Sequence, residues 1–124
     1  MREKIRFIKY LKSQFVIFFG LKLTIRQLFR EMRFIASAKI SDEPEDNYFI
    51  NRKTLDEAIQ VLSARVEEGL LKYVGERKTV AFKVSAVWGD KNVAVSNEYW
   101  QKFFYALGWH EAIYGKQDTW WQKN

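Results

Sequence analysis

The sequence contains no cysteine, a single histidine and a single proline among its 124 residues. Without cysteine the chain can form no disulfide, no thiolate metal site and no cysteine nucleophile, which is compatible with a reducing, cytoplasmic location. One histidine, His110, leaves little for a transition-metal site, which usually draws on several imidazoles or thiolates. We therefore expect no metal centre and no cofactor.

Long apolar runs are also lacking, and nothing approaches the roughly 20 residues that a membrane-spanning helix needs. The apolar run Phe15–Gly20 is short, and Lys22 and Arg26 follow soon after it. The small residues Ala36-Ser37-Ala38 resemble a signal-peptide cleavage site but lie too far beyond that run. The sequence thus predicts a soluble, cytoplasmic protein, and its length and 48% apolar content predict one domain over residues 1–124.

Positive charge is concentrated at the amino end of the chain. Residues 1–39 hold ten Lys and Arg against two acids, residues 40–71 hold three against eight, and residues 72–124 hold eight against five. The net charge is +6 and the pI about 9.5. This balance favours a polyanionic partner.

Apolar spacing predicts about four helices. A basic amphipathic helix spans 3–19, and a second helix begins at the cap Thr24 and includes Met32, with Arg33 on its exposed side. Residues 37–53 lose this periodicity, and their acidic run 42–46 is interpreted as a solvated loop or one short helix that Tyr48, Phe49 and Ile50 pin to the core. A third helix begins at the cap Thr54 and ends at Gly69. A fourth, capped by Ser96 or Asn97, ends at Gly108.

Alternating apolar residues predict a three-stranded antiparallel sheet, which makes the fold class α+β. The strands are Leu70–Val74, Thr79–Trp88 and Val93–Asn97, joined by the turns Gly-Glu-Arg-Lys and Gly-Asp-Lys-Asn. The middle strand places alternate residues from Val80 to Trp88 on one face. The tail after Gly108 is interpreted as a short helical turn before Gly115.

This order of elements over about 22–97 resembles the winged helix-turn-helix superfamily, with the aromatic helix and tail at 97–124 appended. The resemblance is carried by Thr54-Leu55, Leu62, the run Glu67–Tyr73, and Arg77-Lys78 at the tip of the wing. It implies that helix 54–69 enters the major groove of DNA and that the wing lies along the backbone or a minor groove. A shorter run, Leu23–Phe29, is similar to the winged-helix domain of topoisomerase VI A subunits, but Arg30 stands where that family has its cleaving tyrosine.

The charges of helix 54–69 argue against base reading, because Asp56, Glu57, Glu67 and Glu68 outnumber Arg65 and would meet phosphates. Contacts to the phosphate backbone are expected instead. The candidate nucleic-acid-binding residues are Lys9, Lys12, Arg26, Arg30, Arg33, Arg52, Lys53, Arg77 and Lys78.

Aromatic residues make up 17% of the chain, and all five tryptophans lie at or after Trp88. Three interpretations are open: core filling, a dimer interface, and a stacking surface for single-stranded nucleic acid. The interface candidates are Trp109, Trp120 and Trp121, with a homodimer as the expected assembly.

Together these features predict a DNA-binding protein with a transcriptional or replication accessory role, and duplex is favoured over single-stranded DNA. The alternatives are a protein–protein interaction module that uses the aromatic C-terminal surface, and attachment of the basic first helix to an anionic membrane. No enzyme and no small-molecule substrate are expected, because His110-Glu111 has no nucleophile beside it and the glycines form turns.

Overall fold

A computed structural model describes residues 31–43, 47–114 and 118–123, which form one six-stranded antiparallel sheet and two α-helices. The elements in chain order are β1 (Arg33–Ile40), β2 (Tyr48–Arg52), α1 (Leu55–Leu70), a 3-10 helix (Leu71–Tyr73), β3 (Val80–Trp88), β4 (Lys91–Ala94), α2 (Asn97–Ala106), β5 (Trp109–Tyr114) and β6 (Thr119–Lys123). The α+β class expected from the sequence is confirmed.

Strand β3 is the centre of the sheet, whose order is β2-β1-β3-β6-β5 with β4 also paired to β3. One edge of β3 pairs with β1 along its whole length, from Arg33 opposite Val87 to Ile40 opposite Val80. The other edge is divided, because Val80 and Ala81 pair with β6 while Ser85–Trp88 pair with β4.

Both helices pack on the same face of this sheet, and the core lies between the two layers. The strands contribute alternate residues, as their period of two requires. In β1 and β3 these are Phe34, Ala36, Ala38, Ile40, Val80, Phe82, Val84, Ala86 and Trp88, all buried. Burying each large apolar side chain stabilises the fold by about 1.5–3 kcal/mol.

The strand residues between these core positions point to the other side of the sheet, which we call the outer face. Among the described elements, both helices pack against the opposite face. The outer face consists of Arg33, Ile35, Ser37, Lys39, Phe49, Asn51, Ala81, Lys83, Ser85, Val87, Asn92, Ala94, His110, Ile113, Trp120 and Gln122.

Helix ends follow the local sequence at two of the predicted positions. The Thr54 hydroxyl accepts a hydrogen bond from the Glu57 backbone N–H at 3.2 Å, so Thr54 caps α1 as predicted. Gly108 follows α2 with a φ of 93°, and its N–H donates to the Tyr105 carbonyl at 3.0 Å. This left-handed glycine ends the last predicted helix.

Gly69 has a different role from the predicted helix stop, because α1 continues through it to Leu70. A Cβ placed on Gly69 would lie only 1.8 Å from the hydroxyl oxygen of Tyr48. The residue is therefore required for the close approach of β2 to α1 rather than for a left-handed turn.

The predicted count of four helices and three strands is wrong for the described part of the chain. Residues 33–40 and 48–52, assigned to a helix end and an acidic loop, are β1 and β2, and the tail forms β5 and β6. Residues Leu70–Val74 form the end of α1, a 3-10 helix and a turn, so β3 pairs with β1 instead of with the predicted wing strand. The first predicted helix, 3–19, and residues 24–30 of the second lie outside the described residues.

Candidate nucleic-acid interface

The two sides of the molecule differ in charge. Helix α1 carries four carboxylates (Asp56, Glu57, Glu67, Glu68) and one cation, Arg65, a balance of −3. Helix α2 adds one of each sign, Glu98 and Lys102. The outer face carries three cations, Arg33, Lys39 and Lys83, and none of its strand positions is acidic. A polyanion is therefore attracted to the outer face and repelled by the exposed surface of α1.

Two cations on the helix side are paired with carboxylates of α1. The Arg52 guanidinium lies 3.5 Å from a Glu57 carboxylate oxygen, and Lys123 forms an ion pair with Glu67. These contacts join β2 and β6 to the two ends of α1. They neutralise both cations locally, which leaves little of their charge for an external ligand.

Cations on the outer face differ from these two in their surroundings. In residues 31–43, 47–114 and 118–123, no ion pair involves Arg33, Lys39 or Lys83. The Arg33 Nε donates a 2.6 Å hydrogen bond to the neutral Asn51 side-chain oxygen, which orients the guanidinium without cancelling its charge. These three cations share one face of the sheet.

Strand register places two adjacent rows on the outer face that each contain one aromatic residue, one small residue and one lysine. In the first row Phe49, Ser37 and Lys83 lie opposite one another on β2, β1 and β3. In the second row Lys39, Ala81 and Trp120 lie on β1, β3 and β6, with Ile113 beyond Trp120 on β5. The small residues Ser37 and Ala81 are only 6% and 5% exposed, so they are buried between the larger side chains.

The aromatic residues of the two rows differ in exposure. Phe49 is 65% exposed, and Ile113 next to Trp120 is 54% exposed, whereas Trp120 is half-buried. An exposed phenylalanine on a sheet is unfavourable in water, since its apolar surface remains hydrated. Phe49 is therefore not part of the core, and it lies diagonally next to Lys39 on the outer face.

An acidic residue also lies near this surface. Asp118 precedes β6 and, with Lys83, Ser85 and Asn97, lines a groove of about 280 Å³ at the divided edge of β3.

The predicted phosphate-binding residues that the structure describes do not share one surface. Lys9, Lys12, Arg26 and Arg30 lie outside the described residues. Arg33 is on the outer face, Arg52 is paired on the helix side, and Lys53 is exposed in the turn between β2 and α1. Arg77 is exposed in the segment before β3.

Lys78, predicted to be a phosphate ligand at a wing tip, lies in a local network of carboxylates. Its ammonium group is 3.1 Å from Asp42 and 3.5 Å from Glu76, and it lies 4.9 Å from the centre of the Tyr73 ring. The hydrogen bond to Asp42 is the main reason that the pKa of Lys78 is raised. The Tyr73 hydroxyl donates to Glu43, and this bond is the main reason that the pKa of Tyr73 is raised.

Two of the three candidate interface tryptophans lie in the core instead of on a surface. Trp109 is 2% exposed and donates its indole N–H to the Ser63 hydroxyl at 2.8 Å. Trp121 is 1% exposed and packs 6.0 Å from Trp100, centre to centre. The adjacent residue Trp120 points to the outer face, because successive residues of a strand alternate.

Three outer-face residues were missed by sequence reasoning: Lys39, Phe49 and Lys83. The available signal was the alternation of Phe34, Ala36, Ala38 and Ile40, which places Lys39 opposite the core in a strand. The alanines weaken that pattern, and the helical spacing that ends at Met32 extends naturally into Arg33.

Comparisons with family models, curated proteins and solved structures give no match for this chain. In the described residues, no helix is long and apolar enough to cross a membrane, and no three metal-ligating side chains cluster.

Proposed function

We propose that the chain binds nucleic acid on the outer face of its sheet, mainly through phosphate contacts from Arg33, Lys39 and Lys83. The observation that carries this proposal is the charge asymmetry between the two layers. Three cations that have no carboxylate partner among the described residues share one face, while the exposed surface of α1 is acidic. A transcriptional or replication accessory role would suit such a protein.

The electrostatic field supports one orientation of the complex. Coulomb attraction brings the phosphates to the outer face, and the carboxylates of α1 oppose any approach from the helix side. A docking mode in which α1 enters the major groove would bring Asp56, Glu57 and Glu68 near the backbone, so we do not propose it.

A salt series with paired charge variants tests this proposal. The variant Lys39→Gln with Lys83→Gln removes two outer-face cations, and Lys72→Gln with Lys102→Gln removes two exposed cations that are not on this face. Both variants lose the same net charge, so any difference between them reports position. Circular dichroism establishes that each variant is folded.

We expect the outer-face variant to bind labelled DNA about 25-fold more weakly at about 0.1 M salt, because each phosphate contact contributes roughly fivefold there. The slope of log affinity against log salt should also fall in magnitude by about 1.4 for a single strand or about 1.8 for a duplex. The control variant should keep the wild-type slope. Equal effects of the two variants, or no binding by the wild type at low salt, would show that the proposal is wrong.

A further inference from the structure

The outer face combines its cations with aromatic side chains in a pattern that selects among nucleic acids. We infer that its ligand is a single strand, whose bases stack on Phe49 and Trp120 while Lys39 and Lys83 contact its phosphates. This inference rests on the proposed function and adds the class of ligand. It follows from the strand register, which places each aromatic residue diagonally next to a lysine.

Bases of a duplex are stacked on each other, so a flat surface cannot reach their faces. A major groove admits a helix or a two-stranded ribbon, whereas five strands side by side form a surface too wide to enter it. Both described helices lie on the other side of the sheet. The outer face therefore has no described element that could read a duplex, but it offers two rings to unpaired bases.

The separation of the rings fits a short single strand. Phe49 on β2 and Trp120 on β6 are three strands apart and offset by one row. At about 4.8 Å between strands and about 6.8 Å between alternate residues, this amounts to roughly 16 Å. That distance spans about five nucleotides at the rise of a stacked strand, and fewer when the strand is extended.

The two lysines lie between Phe49 and Trp120, where the phosphates of a bound strand would pass. Lys39 lies diagonal to Phe49, and Lys83 lies diagonal to Trp120, so each ring has a cation within reach of the same nucleotide's phosphate. Ser37 and Ala81 between them are buried, so the contacts to a strand come from the larger side chains around them. Self-association through this face would instead bring Arg33, Lys39 and Lys83 of two copies together, which like-charge repulsion disfavours.

Fluorescence anisotropy with labelled oligo(dT) and a labelled hairpin duplex tests the inference on the full chain. The stacking variants are Phe49→Leu and Trp120→Leu, and Phe49→Tyr is the conservative variant that keeps an aromatic ring. The control is Tyr105→Leu, because Tyr105 is an aromatic residue that is 43% exposed on the helix side. Circular dichroism and thermal melting confirm that each variant is folded.

We expect the wild type to prefer oligo(dT), and Phe49→Leu to weaken that binding at least fivefold without changing the salt slope. Phe49→Tyr and Tyr105→Leu should bind as the wild type does. Preference for the duplex, or an unchanged affinity in Phe49→Leu and Trp120→Leu while Lys39→Gln with Lys83→Gln still weakens binding, overturns the single-strand inference but leaves the proposed function intact. Absence of binding to either ligand overturns both.

Sedimentation of the same variants tests whether the outer face binds a second copy of the chain instead. If the wild type forms dimers that Phe49→Leu dissociates, and oligo(dT) affinity is unaffected, the outer face binds a second copy of the chain and the inference is wrong. A monomeric wild type that binds oligo(dT) through Phe49 supports it.

Discussion

The indole N–H of Trp109 donates to the hydroxyl of Ser63 at 2.8 Å, and both residues are buried. This bond joins β5 to α1 across 46 positions of the sequence. Trp121 on the neighbouring strand is equally buried, but its indole N–H has no hydrogen-bond partner among the described residues. Two tryptophans in one core therefore differ in a single polar contact.

Replacing each of these tryptophans with phenylalanine should have unequal effects on stability. Trp109→Phe leaves the buried Ser63 hydroxyl without its donor, whereas Trp121→Phe removes an N–H that has no partner. Both changes remove similar volume, so we expect Trp109→Phe to lower the free energy of unfolding by about 1–3 kcal/mol more than Trp121→Phe does. Urea denaturation measures both, and equal losses would contradict a contribution from the hydrogen bond.

Adding Ser63→Ala to Trp109→Phe provides the matched control. The double variant has no unpaired hydroxyl, so part of the lost stability should return. A double variant that is less stable than Trp109→Phe alone would indicate that Ser63 is satisfied by another partner.

Because Gly69 packs closely against Tyr48, we expect Gly69→Ala to change stability in the direction opposite to that expected from helix propensity. Alanine normally stabilises a helix by about 1 kcal/mol relative to glycine. Gly69→Ala should instead destabilise the protein by about 1–3 kcal/mol, because the new methyl group would overlap the Tyr48 hydroxyl. Thermal unfolding measures the effect.

The control for this contact is the same substitution in a Tyr48→Leu background. Without the tyrosine ring the clash is gone, so Gly69→Ala should become neutral or stabilising there. A loss of similar size in both backgrounds would assign the effect to the helix backbone and not to Tyr48.

The network around Lys78 and Tyr73 predicts a loss of stability in alkali. The folded protein raises the pKa of both groups, through Asp42 for Lys78 and through Glu43 for Tyr73. The folded state therefore holds these protons more tightly than the unfolded chain does, so this stabilisation is complete below about pH 10 and is lost as pH rises through the folded values.

Urea denaturation from about pH 8 to about pH 11 measures this effect. The free energy of unfolding of the wild type should fall more steeply above about pH 10 than that of Tyr73→Phe with Lys78→Met, because the variant lacks both groups. Parallel curves for the two proteins would show that the network is not coupled to folding.

Existing ion pairs predict which cations do not contribute to nucleic-acid binding. Arg52 is paired with Glu57, and Lys78 with Asp42 and Glu76. Arg52→Gln and Lys78→Gln should therefore leave the salt slope of nucleic-acid binding unchanged, although both residues are basic. A slope reduced by about 0.7 or more for either variant would mean that its ion pair opens to bind phosphate.

Helix caps and the alternation of apolar residues correctly predicted those elements that depend only on residues close together in the sequence. Thr54 and Gly108 determine helix ends through their own hydroxyl and backbone, and the alternation from Val80 to Trp88 identifies β3. Each of these features depends on neighbours in the sequence, so it can be recognised without knowing the fold.

The other strands depend on distant partners. β1 has alanines at two of its buried positions and is recognisable as a strand mainly because β3 lies beside it. Aromatic residues such as Trp109 and Trp121 occur in helices and in strands, and the pairing of β5 with β6 and of β6 with β3 decides between them. The candidate interface is a property of this register, since Lys39, Phe49, Lys83 and Trp120 come together only when the sheet forms.

Photo-crosslinking locates the nucleic acid most directly. The wild-type protein is irradiated together with an oligo(dT) that contains 4-thiothymine. The protein is then digested with a protease, and the cross-linked peptides are identified by mass spectrometry. We predict cross-links to residues 47–52 and 118–123, which carry Phe49 and Trp120, and their loss in Phe49→Leu and Trp120→Leu. Cross-links confined to α1, α2 or residues 1–30 would contradict a nucleic-acid-binding surface on the outer face.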